Sequence, residues 1–240
     1  MEAMRSITSL AVLLLLAFGP TDSFARGGLY FGIDLGGATV SGESNIALDV
    51  GPNVKFEGGS ALQHAKQTWT EFGSGMAAGL RLGYNVMGYG GLELNLLAHG
   101  NWKSAGGTWE GLGHVGVLAR ISPIQFLTLA DNPKLKALTN RDWDVKVFAG
   151  FAPYVVGGYH INADVGRGWE GYSVEWGLGA EYYVVPTVSF GMDLRFLHSS
   201  FDTYLQDWSP RDAKPLESNE KALVVAPMFT MTFHLFDPHK

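Results

Sequence analysis

Tyr172-Ser173-Val174-Glu175-Trp176-Gly177-Leu178-Gly179-Ala180-Glu181-Tyr182 alternates without a break. Apolar and aromatic side chains hold the even positions, while serine, glycine and glutamate hold the odd ones. An extended chain sends successive side chains to opposite faces, so this segment reads as a strand with one oily face and one small or charged face. Tilted, a run of about 9 to 11 residues is long enough to cross the hydrocarbon of a bilayer.

The same period recurs on both sides of this segment. Toward the N-terminus it appears around Leu29 to Gly36, Met76 to Tyr84, Leu92 to His99, His114 to Ile121 and Asp144 to Phe151; toward the C-terminus, around Val188 to Phe196 and Leu223 to Leu235. Eight runs, an even number with no long apolar helix after the first 25 residues, predict an all-β chain, an eight-stranded antiparallel up-and-down barrel. Residues 86–88 and 185–187 read as tight turns. Residues 39–73, 157–171 and 199–219, rich in Gly, Asp, Asn and Ser, read as long loops at the other end, the first and fourth of four being largest. The connection 122–142 breaks the rule by its length, and Lys134, Leu135, Lys136 and Leu138 within it suit a short helix.

The composition of the second face decides which face is inside. Charged residues make up 17% of the 240-residue chain, and glycines number 32. Average domains hold roughly 25% charged residues and about 7% glycine. A water-soluble barrel shows the solvent a face rich in Lys, Glu, Thr and Gln, whereas here the polar face is crowded with glycine and carries isolated charges of both signs. A narrow eight-stranded lumen has room for that set. The oily face therefore points outward to lipid, and barrel closure satisfies every backbone group. By register the lumen receives Asp34, Glu93, Asp144, Glu175, Glu181 and Asp193 together with Arg81, Arg120, Lys146 and Arg195. Buried charges must pair, so these ten predict a plugged, polar interior with pairs such as Arg81 with Glu93 and Lys146 with Glu175. Trp102, Trp109, Trp169 and Trp208 at the loop end, and Tyr84, Tyr89, Trp143 and Phe236 at the other, suit interfacial girdles.

Residues 1–25 read as a cleaved signal peptide: Arg5, the apolar Leu10 to Phe18, then the small-x-small site Ser23-Phe24-Ala25. Residues 26–240 are then the barrel, with its termini in the periplasm. With no cysteine, disulfides and thiolate metal sites are excluded. The net charge of -6 and the lack of a basic cluster argue against nucleic acid. No histidine pair has metal-ligand spacing, and no cofactor is expected. Gly166-Arg167-Gly168-Trp169-Glu170-Gly171 spells a dinucleotide fingerprint without the strand-to-helix turn that gives it meaning.

These runs, with the closing stretch Met228 to Phe236, resemble the eight-stranded outer-membrane barrels of Gram-negative bacteria, of the OmpA transmembrane domain, OmpX and OmpW type. The resemblance implies a porin-like cell-envelope barrel in the outer membrane, monomeric, in contact with lipid and lipopolysaccharide. It also implies an aromatic-ended last strand read by the barrel-insertion machinery. Its function is expected to be noncatalytic, structural or surface-interacting, and an OmpW-like pathway for small hydrophobic molecules is an alternative. His198 and Ser200, on one face at the outer rim, are similar to the His-x-Ser of PagL-type lipid A deacylases, which pair a hydroxyl with a general base. The match covers those two residues: Phe201 stands where that family has Asn, and Asp202, Asp207 and Glu217 are poor stand-ins for its acid.

Overall fold

The computed structural model describes residues 27–43, 74–86, 88–103, 108–127, 143–162, 165–185, 187–206 and 214–235. Eight strands form a closed barrel in chain order: β1 (Gly28–Glu43), β2 (Ser74–Val86), β3 (Gly90–Lys103), β4 (Thr108–Ile121), β5 (Trp143–Asn162), β6 (Val165–Val185), β7 (Val188–Gln206) and β8 (Lys214–His234). Every neighbour is antiparallel, and β1 pairs with β8 to close the sheet.

The register fixes the barrel's shape. One row of directly opposite residues runs Phe31, Leu82, Leu94, Val117, Phe151, Val174, His198, Leu223 and returns to β1 at Ser41, a displacement of 10 residues from Phe31. With eight strands, that shear tilts each strand about 40° to the barrel axis. All members of this row point outward, so lipid and lumen faces stay separate around the whole wall.

The strands outrun the segments expected from alternation. β5 and β6 continue through most of residues 157–171, and β7 and β8 through most of 199–219, so those stretches are strand rather than loop. On β6, the ten steps from Tyr182 to Tyr172 rise about 25 Å along the axis at this tilt, the height of a hydrocarbon belt. Residues 165–171 lie beyond it. Past the belt the outer face no longer needs to be apolar, so the alternation fades while the ladder goes on.

Short links gather at the end that carries the termini. Gly88, at φ 77°, turns β2 into β3, with the Tyr89 amide donating to the Val86 carbonyl at 3.1 Å; a positive φ of this kind favours glycine. The connection after β4 begins with Ser122, whose amide donates to the Tyr89 carbonyl at 2.8 Å, and a single helical turn, α1 (Pro123–Phe126). Phe126 lies against Tyr89, ring centroids 5.1 Å apart. The helix expected around Lys134 to Leu138 lies outside the described residues, as do the signal-peptide region, Trp208 and Phe236.

Two irregularities shape the wall. Pro153 and Tyr154 form a bulge: both are exposed, and the register shifts against β4 and β6 at this point. A proline without an N–H is tolerated in a sheet at such a bulge. Pro227 sits where the β1–β8 ladder is interrupted between Gly36↔Met228 and Thr39↔Val225, while its pairing with β7 at Leu194 is kept.

Candidate functional site

The outer wall is oily. Leu80, Leu82, Leu94, Val117, Val147, Trp176 and Leu178 are exposed there, and Arg81, Lys146, Glu175 and Arg195 are at most 1% exposed inside. Such an inversion is stable only where the outside is hydrocarbon, so the chain spans a membrane. The lower belt carries Trp143 against Tyr182, centroids 5.0 Å apart, and the upper belt carries Phe151 against Tyr172 at 5.9 Å. Trp169, expected in a girdle, points inward instead and is 1% exposed.

Inside, the barrel is filled in two storeys. The storey nearest the termini is ionic. Arg81 Nε donates to Asp34 at 2.8 Å and its Nη1 to Glu93 at 3.3 Å. Arg195 holds the other oxygen of Asp34 at 2.8 Å and Glu175 at 3.1 Å, and lies 3.5 Å from Asp193. Lys146 bridges Glu181 and Asp193, both at 2.9 Å. Arg120 reaches Glu181 at 2.9 Å and Asp144 at 3.7 Å, and Ser122 donates to Asp144 at 2.9 Å. All ten lumen residues named from the sequence are therefore buried and join one mesh. The partner expected for Lys146 is corrected: Glu175 lies higher in the same ionic storey, where Arg195, Asn95 (2.9 Å) and His114 (3.3 Å) hold it.

Uncharged groups complete this mesh. Tyr30 donates its hydroxyl to Glu93 at 2.7 Å, and Arg81 donates to Thr232 at 3.2 Å. Arg120 lies over the Tyr30 ring at 5.6 Å, and Arg195 over Phe148 at 5.4 Å. The lumen-facing glycines make room for these long chains. A β-carbon on Gly32 would stand 2.9 Å from the Arg81 guanidinium carbon, and one on Gly179 would stand 2.8 Å from Lys146 Cε and collide with Asp193. One on Gly83 would collide with the Tyr30 ring.

The storey nearest the loops is apolar. Ala38, Val40, Ala77, Leu97, Leu112, Ala152, Val155, Trp169, Leu197, Phe201, Ala222, Val224, Ala226 and Met228 form one buried cluster. The interior is thus an ionic plug in its lower part alone, and above it the apolar cluster encloses the uncharged His99, Ser173 and Ser199. The sequence signal for the upper part lies in Leu197-His198-Ser199-Ser200-Phe201-Asp202. There the inward positions include Leu197 and Phe201, and the outward ones are His198, Ser200 and Asp202, the pattern of a soluble barrel.

His198 is exposed and Ser200 half-buried, both on the outer wall, and among the described residues no hydrogen bond joins them. Adjacent same-face positions on a strand lie about 6.6 Å apart along the chain, beyond direct proton transfer. Neither has a carboxylate partner among the described residues. Asp202 instead accepts from the Thr203 hydroxyl at 2.9 Å. No group of metal-ligating side chains occurs among the described residues.

No protein-family model and no curated protein sequence matches the chain. Among solved structures it is similar to Neisserial surface protein A, at 13% identity and a TM-score of 0.50, over 87% of this chain and 97% of that one. It is also similar to the outer membrane protein OprG from Pseudomonas aeruginosa, at 15% identity and a TM-score of 0.45, over 87% and 98%. The outer membrane protease OmpT from Escherichia coli matches at 9% identity and a TM-score of 0.38, over 89% and 98%. At these identities the likeness is one of fold, and that fold is the outer-membrane β-barrel.

Proposed function

We propose that this outer-membrane β-barrel is noncatalytic and closed, a structural or surface-interacting protein of the bacterial cell envelope whose loop end meets lipopolysaccharide. The observation that carries this reading is the double filling of the lumen. An ion permeating along the axis has to break the mesh of Arg81, Arg120, Lys146 and Arg195 with their carboxylates, and then cross the apolar cluster around Trp169 and Phe201. Removing one partner of a buried pair costs about 3–5 kcal/mol, which sets the scale for opening this mesh. The hydrolase alternative lacks support in the geometry of His198 and Ser200.

Planar-bilayer recording of the purified full chain tests the reading. The expected trace is the bare-membrane baseline, and stable openings on the nanosiemens scale refute it. Incubation with lipid A, followed by mass spectrometry of the lipid, tests the noncatalytic part. The lipid is expected back intact; released acyl chain that disappears with Ser200→Ala refutes it.

A further inference from the structure

The lipid-facing wall is not uniformly bulky. Across β1 to β5, the row Leu35, Ala78, Ala98, Gly113 and Val156 runs immediately above the row Ile33, Leu80, Leu96, Val115 and Tyr154. The upper row is small in the middle and the lower row is large throughout. The result is a groove of about 430 Å³ in the outer wall, with Ala78, Ala98 and Gly113 as its floor and Leu80, Leu96, Val115 and Tyr154 as its ledge. That volume falls within the range of ligand sites, roughly 300–1,000 Å³. The floor is open: a β-carbon on Gly113 would meet nothing nearer than the Leu97 carbonyl oxygen at 3.9 Å.

One end of the apolar groove adjoins a polar pair outside its lining. The bulge at Pro153 and Tyr154 swings the Tyr154 ring onto the ledge, and its hydroxyl donates to Glu170 Oε1 at 3.0 Å on the outer face of β6. Glu170 is half-buried and makes no ion pair with a described residue. It stands just above Tyr172, at the upper edge of the apolar belt, where headgroups begin. At headgroup level, just past the belt, this carboxylate offers a counter-charge to a cationic head whose chain lies along the groove. With the tyrosine hydroxyl donating to one of its oxygens, Glu170 keeps acceptor capacity for a second donor.

We propose that this groove holds a single-chain amphipath of the loop-side leaflet, its alkyl body on the Ala78, Ala98 and Gly113 floor and its ammonium head on Glu170. Charge complementarity selects the head: an ammonium group satisfies the carboxylate, and an anionic head is repelled. The site adds a specific lipid-phase ligand to the closed barrel and does not depend on whether the lumen conducts.

Native mass spectrometry of the folded full chain, released from octyl glucoside after incubation with dodecylamine, dodecanol or dodecanoate, tests it. The expected result is one retained dodecylamine, weaker dodecanol and no dodecanoate. Gly113→Leu or Ala98→Leu fills the groove and lowers dodecylamine retention at least tenfold. Ala180→Leu, on the outer face of β6 away from the groove, leaves it unchanged. Glu170→Gln lowers dodecylamine to the level of dodecanol. Heat-modifiable gel migration identifies folded variants, and two independent fillers guard against one that does not fold. Equal retention of all three probes, or retention unaffected by both fillers, overturns the proposal. A dimer that falls apart in the filled variants also overturns it, by making the groove a contact between copies.

Discussion

Replacing Arg195 by Met keeps most of the side-chain volume and removes one charge from the centre of the mesh. Its three acidic neighbours are not left alike. Asp34 keeps Arg81 at 2.8 Å, and Asp193 keeps Lys146 at 2.9 Å. Glu175 keeps only Asn95 at 2.9 Å and His114 at 3.3 Å, and it is fully buried. The variant therefore strands one carboxylate, and the expected loss of stability is about 3–5 kcal/mol. Adding Glu175→Gln removes the stranded charge while keeping an amide for Asn95 and His114, and should recover about 1–3 kcal/mol. Adding Glu93→Gln instead should recover nothing, because Glu93 is served by Arg81 and Tyr30. Guanidinium unfolding of the barrel in lipid vesicles, followed by tryptophan fluorescence, gives all four free energies. A stable Arg195→Met, or equal rescue by the two glutamines, would mean that these charges sit in water, and the plugged lumen would be refuted.

Gly179→Ala drives a methyl group into Asp193 and Lys146, so it should cost about 1–3 kcal/mol and lower the folded fraction on unheated gels, whereas Gly113→Ala on the open outer wall should stay within about 0.5 kcal/mol. Ser200→Ala, at a half-buried outer position without a described hydrogen bond, should leave the unfolding midpoint unchanged within about 0.5 kcal/mol in the same vesicle assay. Pro227→Val supplies the N–H missing where the β1–β8 ladder is interrupted, and should slow amide exchange at Gly37 and Ala38 in accord with a gain of about 1 kcal/mol; unchanged exchange would mean that the proline does not cause the interruption.

The inversion of the wall was legible because it rests on a rule that holds residue by residue within hydrocarbon. Every outward position between the two aromatic belts must be acceptable to lipid, which makes Val174, Trp176 and Leu178 informative and leaves Glu175 only the lumen. The same rule places all ten charges inside without any knowledge of their partners. Partners were less legible, because tilt and shear decide them: Lys146 meets Glu181 and Asp193 on β6 and β7, and a flat reading of alternation does not contain the 10-residue stagger. The upper storey was hidden for a different reason. Beyond the belt the outside becomes aqueous and the two faces exchange character, so Phe201 and Trp169 turn inward where a membrane-only pattern sends them out. The groove was illegible because it needs small residues from separate strands, Ala78, Ala98 and Gly113, to fall side by side.

Spin labels on β8 measure directly which side of the strand faces lipid. The chain has no cysteine, so single cysteines at positions 229 to 233 carry the only nitroxide. Oxygen accessibility in lipid vesicles is predicted to be high at Phe229, Met231 and Phe233 and low at Thr230 and Thr232. Maxima at the two threonines, or no two-residue period, would contradict it.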